Sequence, residues 1–384
     1  MLNKIDPTIL KTVNTFGNSS KLIDCVVFAN NFVQGRYLLK RVHKFSSVSE
    51  FPFINAFGVK LNFNEINKIA ALSSVAYITS SLKVQTQVNV AKQVIDLKPA
   101  NLKHNFSCVV IDTGISLGVD VCVPQNKIIK FIDFVNDKTF PYDDNGHGTF
   151  VTNVLAGSGV VSNKKYMGVD PGANIIAIKA LDANGETGVV NILKAMQWVL
   201  DNKKQYNIKV VCMSFGSMVL TKNDPLIIGA EALWNNGITV VAAAGNSGPE
   251  TNTIKSPGAS SKIITVGAIN DNRDLGSVDN SNYEIADFSS RGPALNNYKP
   301  DVVAPGVNIV AGCSFKLNKK HYDTMSGTSV ATPIVAGVCS LLLAKNEYLS
   351  PNDVKHILLN NTIKLGADRN AEGLGLINCK HFVF

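Results

Sequence analysis

The chain has 384 residues, 45% hydrophobic and 17% charged, with Gly 29 and Pro 14 near average usage. That suffices for two domains around a sizeable core and excludes collagen-like, low-complexity and disordered classes. The net charge of +8 is spread over scattered Lys and Arg with no long basic run, so nucleic acid is not expected as a partner. No apolar run approaches the roughly 18 residues of a membrane span, and no membrane association is expected. Seven cysteines, odd in number and without a CxxC pair, read as buried free thiols. With an N-terminus that lacks the apolar region of a secretory signal, they point to the reducing cytoplasm.

In chain order, residues 22–28 read as a strand, 32–42 as a helix, 44–53 and 57–63 as strands, 64–72 as a helix and 75–84 as a strand. This β-α-β-β-α-β order is that of the ferredoxin-like split unit. Asn62 or Asn64 can cap the second helix, and Ile66, Ile69, Ala70 and Leu72 share one face of it. Residues 87–102 read as a linker with a short helix. Beyond about residue 105 the texture changes to short runs that are apolar throughout, 106–111, 175–178, 210–213, 238–243 and 263–266, separated by helical patterns such as 189–200. Strands of that kind predict an α/β fold, a parallel sheet with helices on both faces, whose ligand chemistry gathers at the carboxyl ends of the strands. The expected domains are 1–88, small and α+β, and 89–384.

Four short segments stand out. Asp112-Thr113-Gly114 closes the first parallel-type strand, where an acid is as readily an ordinary cap as a catalytic group. In Asp143-Asp144-Asn145-Gly146-His147-Gly148-Thr149, the acids, Asn and Gly explain themselves as a helix start, but a histidine between two glycines is harder to explain as core or surface. Asn246 follows a strand end in Ala244-Gly245-Asn246; it is either a turn former or a donor to a developing oxyanion. Ser329, in Gly327-Thr328-Ser329-Val330-Ala331-Thr332-Pro333, precedes a helical run of small apolar residues and is either an N-cap or a nucleophile, with Ala331, Ala336 and Gly337 permitting close packing.

Taken together, these motifs resemble those of the subtilisin-like serine proteases, the subtilases, in the family's order, and the pattern is nearest to the intracellular bacterial type. The last motif alone has a chance probability below roughly one in a thousand. The resemblance spans residues 89–378. It implies a serine endopeptidase in which Asp112, His147 and Ser329 form a catalytic triad and Asn246 contributes to an oxyanion hole. It also implies that Gly185, Glu186 and Thr187 on one side, and Ser214, Phe215 and Gly216 on the other, sandwich an extended protein or peptide substrate. The N-terminal unit resembles the family's inhibitory propeptide, which would make the chain a self-inhibited, autoprocessed precursor cut between Val84 and Val90. A catalytically silent binding protein of the same fold is the alternative.

Some positions depart from the family pattern. Phe150 stands where many relatives have a second histidine, and Val330 where Met is commoner. No cofactor is expected for catalysis; a structural calcium is conceivable, but residues 157–165 with Lys164 and Lys165 replace the loop that holds it tightly in secreted relatives. Glu186 either favours basic substrate side chains or is simply solvated, the latter being the leading reading.

Overall fold

A computed structural model of the chain describes residues 4–5, 9, 22–42, 48–52, 55–80, 87–98, 102, 104–219, 223–272 and 283–382. They fall in two units, Met1–Val84 and Gln85–Arg273 with Val278–Phe384. In the first unit β1 (Ile23–Ala29), α1 (Phe32–Val42), β2 (Ser49–Phe51), β3 (Ala56–Leu61), α2 (Phe63–Ala70) and β4 (Val75–Ser80) follow the order read from the sequence. The sheet runs β2-β3-β1-β4 and every pairing in it is antiparallel. The remainder of the expected strands 44–53 and 75–84 lies partly outside the described residues. Asn62 is the cap of α2: its side chain accepts the Glu65 N–H at 3.0 Å while Glu65 accepts the Asn62 N–H at 2.9 Å, a reciprocal arrangement that satisfies otherwise orphaned donors. Ile66 and Ile69 are fully buried against Val27 and Val59, each contributing about 1.5–3 kcal/mol of burial.

The second unit opens with α3 (Gln87–Val94), β5 (Ser107–Asp112), β6 (Ile128–Asp133), α4 (His147–Ala156), β7 (Asn174–Lys179), α5 (Val189–Asn202), β8 (Ile208–Met213), α6 (Pro225–Asn235), β9 (Thr239–Ala243) and β10 (Ile264–Asn270). It continues with β11 (Glu284–Ile285), β12 (Val302–Pro305), the hairpin β13 (Ile309–Gly312) and β14 (Tyr322–Met325), α7 (Thr328–Lys345), α8 (Pro351–Asn360), β15 (Thr362–Ile363) and β16 (Leu376–Ile377). The sheet order is β15-β16-β12-β10-β9-β8-β5-β7-β6, parallel from β16 to β6, with β11 and β15 as antiparallel edges. Every residue of β5 and β9 is buried, so both faces are covered; α4 packs with α7 and α5 with α6.

Several elements escaped the reading of continuous apolar runs, among them β6, β12 and α6. β6 is an edge strand in which Ile129 and Lys130 are both exposed between buried Ile128 and Phe131, so it is not a continuous buried apolar run. β12 is four residues long and ends in a proline. α6 was signalled by Asp224, which accepts the Leu226 N–H at 2.9 Å, and by Pro225 in its first turn. The absence of a span-length apolar stretch also needs correction. α7 has 18 residues with a mean hydropathy of 1.5, and 83% of it is buried inside the unit. It is a central core helix, apolar all round because the sheet and α4 enclose it. A Cβ on its Gly337 would lie 2.7 Å from Val169, so the close packing expected of this glycine is real.

Candidate active site

Four strand ends bring the candidate residues together. Asp112 ends β5, Gly185 to Thr187 follow β7, Ser214 to Gly216 follow β8, and Asn246 follows β9. These are the carboxyl ends of adjacent parallel strands, where the chain leaves the sheet and a crevice opens. His147 starts α4 and Ser329 lies in the first turn of α7. All ten residues singled out in the sequence line one cleft of about 710 Å³.

Within it, His147 Nδ1 lies 2.8 Å from Asp112 Oδ1. The Asp112 side chain is 2% exposed and the imidazole 28%. A carboxylate only accepts, so Nδ1 carries the proton and Nε2 keeps its lone pair. Burial by itself would push the imidazole pKa down, but the charge and hydrogen bond of Asp112, with a contribution from Asp143, hold it above the ordinary histidine value. Asp112 Oδ1 also accepts the Thr113 N–H at 2.8 Å.

Asn246 is oriented by its neighbour in α7. Its Oδ1 accepts both the backbone N–H and the hydroxyl of Thr328 at 2.9 Å, which leaves the Nδ2 donor for the cleft. A Cβ on Gly327 would lie 3.0 Å from Ser329 Oγ and 3.3 Å from Asn246 Nδ2. The glycine therefore keeps open the space between a hydroxyl and an amide donor, where an oxyanion would fit. Gly185 adopts φ +76 in a turn closed by Asp182, whose Oδ1 accepts the Asn184 and Glu186 N–H groups at 2.9 and 3.0 Å. Glu186 itself is exposed. Phe150 and Val330 are both buried, 0% and 1% exposed, as apolar neighbours of the site.

Three supporting residues were not singled out as functional. Asp143, read as part of a helix start, is 5% exposed. Its Oδ1 accepts from Thr113 Oγ1, Asn145 N and Gly146 N at 2.9, 3.1 and 2.7 Å, and its Oδ2 from Thr149 N and Oγ1 at 2.9 and 2.6 Å. Thr113 Oγ1 in turn accepts the Gly148 N–H at 2.9 Å, tying the end of β5 to the start of α4. Lys179 is fully buried beneath the cleft and donates to Asp144 Oδ1 at 2.6 Å and to the Thr113 carbonyl at 2.8 Å. A lysine ending an otherwise apolar strand was the available signal. Thr328 lay inside a motif already marked, without a role.

Comparison with known proteins agrees with this geometry. Residues 103–376 match the model of the subtilase family, peptidase S8. The chain is 40% identical over 329 residues to the serine protease AprX of Bacillus subtilis (strain 168), covering 80% of this chain and 72% of that one. It is 30% identical over 339 residues to subtilisin E of the same organism, covering 86% and 81%. Among solved structures, the S41 psychrophilic protease superposes with a TM-score of 0.63 at 26% identity, over 78% of this chain and 99% of that one. A strand-end cleft of this make-up, in a chain this similar to proteases over most of its length, leads to one conclusion: the chain belongs to the subtilase family and is a serine endopeptidase.

Proposed function

We propose that hydrolysis runs through an Asp112, His147, Ser329 triad. The observation that carries this reading is the 2.8 Å contact of His147 Nδ1 with Asp112 in the cleft that Ser329 also lines. Ser329 Oγ attacks the peptide carbonyl carbon as its proton passes to His147 Nε2. The resulting oxyanion accepts hydrogen bonds from Asn246 Nδ2 and the Ser329 N–H. The C–N bond then breaks, the amine leaves with the proton from His147, and the acyl-enzyme is hydrolysed by water through the same steps. Asp112 stabilises the imidazolium throughout. Losing one oxyanion donor costs about 10²–10³ in turnover, a magnitude taken from a member of this family. The backbone of Gly185, Glu186 and Thr187 and of Ser214, Phe215 and Gly216 adds the substrate as an extended strand, a mode tolerant of sequence. Proteins and peptides are the partners of this site; neither nucleic acid nor membrane is.

We further propose that residues 1–88 are an inhibitory propeptide, cut off by the enzyme itself between Val84 and Val90, a stretch of which 84–86 lie outside the described residues. The seven cysteines are all free, which favours a reducing, cytoplasmic setting. The loop of residues 157–165 does not fit a tight cation: the neighbouring Asp120 carboxylate accepts the Val161 N–H at 3.1 Å and the Tyr322 hydroxyl at 2.6 Å, and Lys164 and Lys165 add positive charge.

A fluorophosphonate probe should label the wild type and not Ser329→Ala. Intact-mass analysis should find the wild type as two pieces of roughly 85 and 300 residues, with Ser329→Ala whole. Labelling of Ser329→Ala would overturn the triad. Identical trimming of both proteins would assign the cut to another protease.

A further inference from the structure

Gly216 and Gly245 lie in two backbone stretches at the carboxyl ends of adjacent strands, one following β8 and the other leading from β9 into Asn246. A single side chain fills the space beside both. A Cβ on Gly216 would lie 2.6 Å from Lys255 Cβ, and one on Gly245 would lie 2.4 Å from Lys255 Cγ. The lysine stem therefore spans from one stretch to the other, and the two glycines leave it just enough room. Its backbone is held in place. The Lys255 N–H donates to the Ala244 carbonyl at 2.8 Å, and the next residue, Ser256, exchanges backbone hydrogen bonds with Ser217 at 2.9 and 3.0 Å.

The charge on this stem has no partner. Buried Lys179 and Lys299 each meet a carboxylate at 2.6 Å, whereas the Lys255 ammonium has neither an ion pair nor a hydrogen bond among the described residues. Lys255 is not itself among the residues lining the cleft but packs behind Gly216, which is, and that lining contains no lysine or arginine.

We propose that Lys255 is a specificity-determining residue that selects an acidic side chain on the substrate residue whose carbonyl is attacked. The inference rests on Ser329 and Asn246 being the reacting centre. A carbonyl oxygen at Asn246 sets its own residue alongside Gly245, and strand pairing sets it alongside Gly216, so its side chain passes into the gap that the Lys255 stem closes. A carboxylate there gains a charge-assisted hydrogen bond. An apolar side chain desolvates the ammonium without compensation, and a basic one is repelled. Backbone recognition leaves the other substrate positions tolerant, so the enzyme is broad in sequence but biased at one place.

The test uses peptides identical except for Glu, Gln, Phe or Lys before the cleaved bond, and compares kcat/KM in wild type, Lys255→Met, Lys255→Arg and Lys255→Glu. Wild type is expected to prefer Glu to its neutral isostere Gln by about 10-fold or more, the worth of one hydrogen bond to a charged group. Raising the salt should shrink that ratio. Lys255→Met should bring it near 1, Lys255→Arg should keep it, and Lys255→Glu should favour Lys instead. A wild-type ratio of 1 or below overturns the proposal whether or not any variant folds. So does an unchanged ratio in a Lys255→Met protein that still takes the fluorophosphonate. A wild type that cleaves peptides while Ser329 stays unlabelled would overturn the assigned centre, and this proposal with it.

Discussion

As the proposed base, His147 can act only while neutral, and Asp112 stabilises its charged form. Because its pKa is raised, the imidazole stays protonated to higher pH than a free one, and activity is lost as the pH falls through that raised value. The acid limb of kcat/KM should therefore have its midpoint above about 6.5. Asp112→Asn removes the charge responsible, so the limb should move to lower pH while turnover drops by about four orders of magnitude. A limb that stays put in Asp112→Asn would show that another group titrates. Gly327 tests the neighbouring half of the site. Gly327→Ala sets a methyl group 3.0 Å from Ser329 Oγ and 3.3 Å from Asn246 Nδ2, in the space proposed for the oxyanion. Turnover should fall at least about 10²-fold, as when a donor is lost, with the far-UV spectrum unchanged; near-normal hydrolysis would place the oxyanion elsewhere. Both residues were legible in the motifs. Their relation was not, because Gly327 looks from sequence like any helix-preceding glycine.

At the scale of elements, the join between β5 and α4 decides whether Asp112 and His147 meet at all. Gly148 allows it: a Cβ there would lie 2.3 Å from the Gly114 carbonyl oxygen and 3.1 Å from Asp112 Cβ. Asp143 holds it, gathering donors from Thr113, Asn145, Gly146 and Thr149 around one buried carboxylate. Asp143→Ala removes the acceptor that these donors share. It should cost about 3–5 kcal/mol in urea unfolding, measured in a Ser329→Ala background to prevent self-digestion. A loss below about 1 kcal/mol would mean that the helix start finds other partners. Reading Asp143 as part of a helix start was correct locally. The helix start and the strand end are stapled by the same carboxylate, and that follows only from β5 and α4 being neighbours.

For the whole molecule, the poor fit of the 157–165 loop to a tight cation predicts indifference to chelators. EDTA should leave activity unchanged and shift Tm by less than about 2 °C, since a ligand that binds only the folded state raises Tm in proportion to its binding. A fall of 10 °C or more, restored by calcium, would show a structural cation. Much of the architecture was legible in the sequence because its causes are local. Continuous apolar runs require burial on both faces, the Asn62 to Glu65 spacing caps α2, and short motifs carry Asp112, His147, Asn246 and Ser329 in chain order. Edge strands such as β6 were missed because an edge leaves some of its residues exposed, here Ile129 and Lys130, and so carries no continuous apolar run. Tertiary structure alone decided which distant segments touch. The sheet is not wound in chain order; β5 sits between β7 and β8, and that arrangement gathers the ends of four strands into one cleft. It also folds Lys255 back against Gly216 and Gly245 and buries Lys179 beneath the site. No spacing in the chain announces these contacts, because each depends on which strand lies next to which and not on the residues beside it in sequence.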